Sequence, residues 1–327
     1  MTDQVIKLIK FVVSGHVDHG KSTLCGRILY ENNYINKHDF DKLKNDAKNN
    51  GHAGSEYAYI LDICDEEREK AITHDYNSIE FTRNNTKYEL IDTPGHKQFI
   101  RSLIMGLNSS SSNNLIGCIV ISAIENEFLA GIGKGQTKED IILMRSVGIE
   151  NVIIIINKMD KYNYDNKIYD DRCNQINNFA SKVGFKRLEY IMVSGYAGYN
   201  INELLDKIEN MYKNININKL NINIIKEQII SDNISAQMKI INLDTQIICA
   251  GYECILHVNK DEYQIIIDEL TVFDIKTKKE TKKNFAKIND VINIKLKRLD
   301  DKKFEVNKFD RIIIRHNDAT IGFGKII

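Results

Sequence analysis

The chain of 327 residues lacks several features that would settle its class at once. Charge of one sign is missing. Lys and Arg total 45 and Asp and Glu total 45, so no global field favours binding nucleic acid without specificity, and any RNA contact must come from a local patch. Paired cysteines are missing as well. Cys25, Cys64, Cys118, Cys173, Cys249 and Cys254 are scattered and form no C-x-x-C, which argues against a zinc ribbon and for free thiols in a reducing compartment. No apolar run reaches membrane-spanning length, and no signal peptide is evident before the first expected strand. Proline is nearly absent, with Pro94 the single example. A cytoplasmic, soluble monomer without membrane contact is expected, and the length suggests two domains with a full core.

What is present begins with Gly15-His16-Val17-Asp18-His19-Gly20-Lys21-Ser22-Thr23. This fits Gly, four residues, Gly-Lys-Ser/Thr, the pattern of a phosphate-binding loop. An apolar, partly β-branched run from Ile9 to Val13 precedes it as a buried strand, and Thr23 to Tyr30 follows as the first turns of a helix. The residue types suit the chemistry. Phosphate oxygens must be met by backbone N–H groups, so the loop needs positions without Cβ, here Gly15 and Gly20. The helix N-terminus behind the loop adds favourable partial charge. Lys21 can reach β- and γ-phosphates, and the Ser22 hydroxyl can hold Mg²⁺.

Further on, Leu61 to Thr73 is charged and poorly periodic. It reads either as a solvated loop or as a mobile switch whose Thr73 hydroxyl supplies a second Mg²⁺ ligand. The expected strand Tyr88 to Ile91 ends in Asp92-Thr93-Pro94-Gly95-His96. Asp92 at the strand's edge can reach a metal through water, and the Gly95 amide can bond a γ-phosphate. A helix over 97–107, a polar loop from Ser109 to Asn114, a buried strand from Ile116 to Ser122 and a helix from Gln136 to Val147, ended by Gly148, are expected next. The β-branched strand Val152 to Ile156 runs into Asn157-Lys158-Met159-Asp160. The Asp160 carboxylate can accept from guanine N1–H and the 2-amino group, neither of which adenine offers. Asn157 can tie loops together, and the Lys158 stem can cover the base face. Alone, N-K-x-D is a weak signal; following a phosphate loop and D-T-P-G in order, it is strong. A last strand at Ile191–Val193 leads to Ser194-Gly195-Tyr196, whose amides can face the guanine carbonyl, and Ile201 to Tyr212 closes the domain as an amphipathic helix.

Strand and helix alternate from residue 9 to 212, which predicts a doubly wound parallel sheet with every motif at the C-terminal end of a strand. Residues 213–232 read as a polar linker. Beyond it come short β-type runs at 236–243, 251–258, 263–268, 285–299 and 311–316, the pattern of a small β-barrel. The expected class is thus α/β, a P-loop NTPase-type doubly wound sheet (1–212) followed by a small all-β barrel (233–327). Lys276, Lys278, Lys279, Lys282, Lys283 and Lys287 cluster in one barrel loop, either a solvated hairpin tip or a contact for RNA phosphates.

Together G-H-V-D-H-G-K-S-T, D-T-P-G-H, N-K-M-D and S-G-Y resemble the translational GTPases, within them the elongation factor 1-alpha group with its class-2 release factors and ribosome-rescue GTPases. Asp62, Glu67, Arg68, Glu69, Ile72 and Thr73 resemble that group's first switch, and Phe128 to Ile132 with Gly135-Gln136-Thr137 resemble its segment before the helix that precedes N-K-M-D. Ser235 to Met238, Ala250-Gly251-Tyr252 and Ala319 to Ile326 resemble the third domain more faintly.

The resemblance implies a GTPase that binds GTP, GDP and Mg²⁺ and works with the ribosome or a release- or rescue-factor-like protein. It makes His96 the residue that positions water, Thr73 the switch threonine, and Val17 with Ile72 the hydrophobic gate. Ser22, Thr73 and Asp92 are its metal residues, and Lys21, Thr73 and His96 its catalytic ones. Three departures stand out. Lys70-Ala71 replaces Arg-Gly, the 108–114 loop is long and holds four serines in a row, and there is no room for the family's second barrel. Two other readings stay open: a GTP-gated binding module or competitor at the ribosome with little hydrolysis, and the GTPase subunit of a sulfate-activating enzyme.

Overall fold

The computed structural model describes residues 8–49, 56–61, 78–92, 115–133, 136–185, 187–217, 227–243, 247–258, 261–274, 277, 279–281, 283, 285–300, 302–316 and 319–327. The chain forms two compact units, one of residues 1–145 and 149–219 and one of residues 220–327 together with 146–148.

The first unit is a six-stranded sheet built from β1 (Leu8–Ser14), β2 (Ser78–Arg83), β3 (Thr86–Asp92), β4 (Ile116–Ser122), β5 (Val152–Asn157) and β6 (Glu189–Met192), in the order β2-β3-β1-β4-β5-β6. All neighbours are parallel except β2, which pairs antiparallel with β3. Asn84 and Asn85 make that hairpin turn with φ of 47° and 60°, a conformation asparagine tolerates better than most residues. All seven residues of β4 and all six of β5 are buried, as strands covered on both faces must be. The helices are α1 (Lys21–Glu31), α2 (Lys37–Asn49), α3 (Glu125–Ile132), α4 (Gln136–Val147), α5 (Asn166–Val183) and α6 (Ile201–Ile217). Ile9, Phe11 and Val13 of β1, Leu24 and Ile28 of α1, and Leu204, Leu205 and Ile208 of α6 share one core, each fully buried side chain contributing about 1.5–3 kcal/mol. Because β1 has β3 on one side and β4 on the other, the chain switches direction at the C-terminal end of β1, where ligands of such sheets bind.

The second unit is a barrel. Strands β8 (Asn233–Ile240), β10 (Glu253–Val258), β11 (Asp261–Asp274), β14 (Val291–Arg298), β16 (Arg311–His316) and β17 (Ala319–Ile326) run in the order β10-β16-β17-β8-β14-β11, and β10 pairs back with β11 to close the ring. Alternate residues of β8, Ile234, Ala236, Met238 and Ile240, point into a core completed by Leu256, Ile265, Ile294, Leu296, Ile312 and Ile314. Short strands complete the unit: β7 (Gln228–Ser231) pairs with β15 (Phe304–Asn307), β9 (Ile248–Cys249) with β13 (Phe285–Ala286), and β12 (Lys279–Thr281) with β11.

The α/β class, the parallel strands of the sheet and the closed barrel are as the sequence predicts, while β2 adds an antiparallel edge strand that a purely parallel sheet does not include. The connector is shorter than expected, because α6 continues to Ile217 and β7 begins at Gln228. Ile215 carries the buried face of α6 one turn beyond Tyr212, and that burial extends the helix. The expected helix over 97–107 and the loop 108–114 lie outside the described residues. Among the described residues no helix is long and apolar enough to cross a membrane.

Candidate functional site

Four strand ends converge on one edge of the sheet. The loop after β1 holds Gly15 to Gly20, and α1 begins at Lys21. Gly15 has φ 145°, and a Cβ there would lie 2.2 Å from the Val120 carbonyl oxygen of β4, so no larger residue fits. Gly20 has φ 83° and backs onto the Asn157 amide. Asp18 also takes positive φ, at 65°. Lys21 Nζ donates to the carbonyls of Gly15 at 2.7 Å and His16 at 3.1 Å, which sets its charge inside the loop's curve. The Ser22 hydroxyl stands exposed in the first turn of α1, Thr23 is half-buried, and Val17 projects into solvent at 63% exposure. Among the described residues Ser14 Oγ and His16 Nδ1 are buried and meet no hydrogen-bond partner.

His19 is fully buried. Its Nδ1 lies 3.1 Å from the Val120 carbonyl and its Nε2 3.0 Å from the Glu127 carbonyl. A neutral ring can donate to only one of these at a time, and an imidazolium could serve both. Burial outweighs the two carbonyls and holds the pKa below its ordinary 6.5, so the ring is neutral at pH 7.

The base end is built from the loops after β5 and β6. Asn157 Nδ2 donates to the His19 carbonyl at 3.0 Å, while Asn157 Oδ1 accepts the Gly195 amide at 3.0 Å. One amide therefore clasps the phosphate loop to the Ser194-Gly195 turn. Lys158 takes φ 62°, and Met159, wholly buried, starts a short 3₁₀ turn over Met159–Tyr162. Asp160 is held by a 2.6 Å bond from Ser194 Oγ, which in turn accepts from the Ala197 amide at 3.0 Å. Its carboxylate is thus aimed before any base arrives. Tyr196 is 56% exposed at the rim. Asp92 stands half-buried at the end of β3. The Cys25 thiol beneath is pushed well up, first by burial and then by the Asp92 charge.

The structure therefore brings together Gly15 to Thr23, Asn157 to Asp160 and Ser194 to Tyr196, with Asp92 at the neighbouring strand end. Thr73, Thr93, Pro94, Gly95 and His96 lie outside the described residues, as do the switch residues Asp62, Glu67, Arg68, Glu69 and Ile72. Sequence reasoning missed Glu127. Its carboxylate meets Lys158 Nζ at 2.9 and 2.8 Å. Burial alone would raise that carboxyl, but the Lys158 ammonium and the Ser122 hydroxyl outweigh it and hold it below the usual range. Nothing local marks Glu127, whose partner is 31 positions away.

Residues 6–214 match the family model of the elongation factor Tu GTP binding domain, and residues 229–327 that of the elongation factor Tu C-terminal domain. The first match alone spans more than half of the chain. The protein belongs to the translational GTPase family defined by the elongation factor Tu GTP binding domain.

Among curated proteins, elongation factor 1-alpha of Thermofilum pendens is 37% identical over 198 residues, covering 60% of this chain and 45% of that protein. Elongation factor 1-alpha of Aeropyrum pernix is 38% identical over 200 residues, again 60% of this chain and 45% of the relative. The chain thus spans less than half the length of these relatives. Among solved structures, the GTPase-like domain of S. cerevisiae Ski7, bound to GDP and inorganic phosphate, superposes with a TM-score of 0.73 at 15% identity, over 98% of this chain and 97% of that one. Translation elongation factor SelB from Methanococcus maripaludis, in its apo form, gives 0.61 at 15% identity over 98% and 79%. At such identities these two likenesses speak to fold alone.

Proposed function

We propose that the protein binds GTP and GDP with Mg²⁺ and hydrolyses GTP to GDP as a cytoplasmic, monomeric, translation-factor-like GTPase that docks on the ribosome or a release- or rescue-factor-like protein. The observation that carries the reading is the Asn157 clasp, which joins a Gly-rich, lysine-bearing phosphate loop to a carboxylate already oriented by Ser194. Backbone amides from Gly15 to Thr23 and the Lys21 ammonium receive the phosphates. Asp160 selects guanine through N1–H and the 2-amino group, Asn157 and Met159 hold the loop that carries it, the Lys158 stem covers the base, and the Ser194 to Tyr196 amides face the guanine carbonyl.

The oxygen donors Ser22 and Asp92 suit a hard cation whose remaining ligands come from phosphate and water, and the resemblance adds Thr73. When bound, Mg²⁺ neutralises charge on the β- and γ-phosphates. Thr93, Pro94, Gly95 and His96 are assigned by the resemblance to the γ-phosphate side, with His96 positioning the attacking water. With no arginine finger evident in the sequence, unassisted turnover is slow.

Partner contact is assigned to the switch face and the barrel. In the barrel the Lys276–Lys287 segment, which the sequence reads as one loop, carries the short strands β12 and β13 because it pairs with β11 and β9, and it offers RNA phosphates at least Lys279, Lys283 and Lys287, all exposed. The competing reading, a GTP-gated binding module with little turnover, draws on one observation. The two family models leave only residues 215–228 between them, with no space for a middle barrel. Calorimetry with GTP and ATP, followed by ribosome-stimulated turnover of wild type and His96→Ala, tests both. GTP binding without ATP binding, with turnover slowed by orders of magnitude but affinity kept in His96→Ala, is expected. Wild-type binding without turnover on ribosomes selects the binding module.

A further inference from the structure

Glu127 sits in the first turn of α3, whose eight residues follow directly on β4. Its surroundings make it a fixed point. Arg172 of α5, itself almost fully buried, pairs with Glu125, donates Nε to the Ala123 carbonyl at 3.3 Å and lays its guanidinium 4.4 Å from the centre of the Phe128 ring. The Glu125 amide donates to the Tyr162 hydroxyl at 3.3 Å, which ties the same turn to the segment that follows Asp160. From this clamped turn Glu127 reaches two ways. Its backbone carbonyl faces His19 Nε2 in the phosphate loop, and its carboxylate takes Lys158 Nζ with both oxygens.

The contacts close a ring. The His19 ring meets the Glu127 carbonyl, and the Glu127 carboxylate meets Lys158. Lys158 is bonded to Asn157, and the Asn157 amide donates back to the His19 carbonyl. Lys158 is the member most in need of support. It carries a positive φ that no β-carbon favours, and such a conformation persists only where its surroundings over-determine it. An exposed ion pair would do little here. This one is different: the two side chains are only 27% and 28% exposed, and the contact is bidentate.

We propose that Glu127 is a positioning residue for the nucleotide, holding Lys158 in the place where its stem covers the base and linking that place to the phosphate loop through His19. The inference rests on the nucleotide site proposed above. It specifies which step Glu127 controls. Lys158 meets the base by its face, where all purines are alike, whereas discrimination between purines belongs to Asp160, which Ser194 holds without Glu127. Loss of the carboxylate therefore speeds release of any purine nucleotide that the site accepts and leaves the choice among them alone.

The test is a double-mutant cycle on the full chain, read as dissociation of a fluorescent GDP and as the affinity ratio of GDP to inosine diphosphate. Glu127→Gln keeps shape and removes charge, and Lys158→Met keeps the stem and removes the ammonium. Each is expected to speed GDP release roughly five- to tenfold, and the double variant no more than Lys158→Met alone. The GDP to inosine diphosphate ratio is expected to match wild type in all three. Additive effects in the double variant would overturn the proposal, since Glu127 would then act independently of Lys158. So would a fall in the base ratio with Glu127→Gln, which would route its effect through Asp160. Wild-type protein that binds no GDP would bring down the nucleotide reading itself, and this inference with it, whereas either of the other failures leaves wild-type binding intact.

Discussion

The two units bury very different things. In the first, Ser14, His19, Thr86, Glu89, Ser122, Thr137, Asp140, Asn157, Arg172 and Ser194 are all withdrawn from water, and Ser14, Ser122, Asn157 and Ser194 lie at or just past the C-terminal ends of strands. In the barrel, the described residues bury Asp310, Arg315 and Thr320 among a core otherwise made of isoleucine, leucine, valine, methionine, alanine, Cys254 and the aromatic Tyr263 and Phe304. Each buried polar group in the first unit costs desolvation that a hydrocarbon would not. A fold retains such groups in number where they hold loops in place: Asn157 and Ser194 each bond to a loop other than their own, and His19 ties the phosphate loop to β4 and α3. The barrel has the composition of a unit whose core serves stability.

The strongest way to break this contrast is Lys21→Ala. It removes the ammonium at the centre of the phosphate loop, and GTP affinity is expected to fall by about a thousandfold or more in calorimetry, charge-assisted contacts to phosphate being among the strongest available. Retained affinity would mean that the buried polar cluster serves no phosphate.

The mirror-image experiment lies in the barrel. Leu256→Ala, at a fully buried position of β10, is expected to cost about 2–5 kcal/mol in denaturant unfolding while leaving GDP affinity of the folded protein within about twofold. A large loss of affinity would show that the barrel core is part of the site.

Asp160→Asn sharpens the contrast within the first unit. The amide can donate to the 2-carbonyl of xanthine, so competition binding is expected to shift from GTP toward xanthosine triphosphate by roughly ten- to a hundredfold. Unchanged preference would remove Asp160 from base reading.

The smallest effect is a pH dependence. His19 is held neutral in the fold, with its pKa depressed below 6.5, so the unfolded chain binds a proton that the folded one resists. Stability is therefore whole above pH 6.5 and declines as the pH falls from 6.5 through the folded pKa. Thermal melts from pH 8 to 5 are expected to show a decline in wild type that is shallower in His19→Asn. Equal slopes would assign the acid sensitivity elsewhere.

Much of this site was legible in the sequence because its motifs are contiguous and their residue types are forced. The strand at Ile116–Ser122 and the helix at Gln136–Val147 fall where periodicity puts them. What escaped did so for identifiable reasons. The 18-residue α5 has both its signals, Asp165 capping the Lys167 amide at 2.7 Å and Gly184 closing it at φ 104°. Its buried stripe, however, is only Arg172, Ile176, Ala180 and Val183, too polar and too small to show a helical period. Strand β17 hid behind its glycines, which normally count against a strand. At Gly324 a Cβ would lie 1.9 Å from the Gln237 carbonyl, so close approach of β8 requires the glycine. Glu127 could not be read at all, since its role exists only once the fold brings α3 beside Lys158.

The place of β17 also sets a schedule for synthesis. It lies between β8 and β16, with Ile326 opposite Ala236 and Lys325 opposite Arg311, yet it is made after every other strand of the barrel. While the chain is being translated, β8 and β16 emerge with open edges facing one another and no strand to fill the gap. The first unit, complete by about Ile217, has all its strands in hand long before. A nascent chain thus passes through an interval in which the completed first unit is joined to a barrel that lacks its last strand, exposed to any neighbour able to add one.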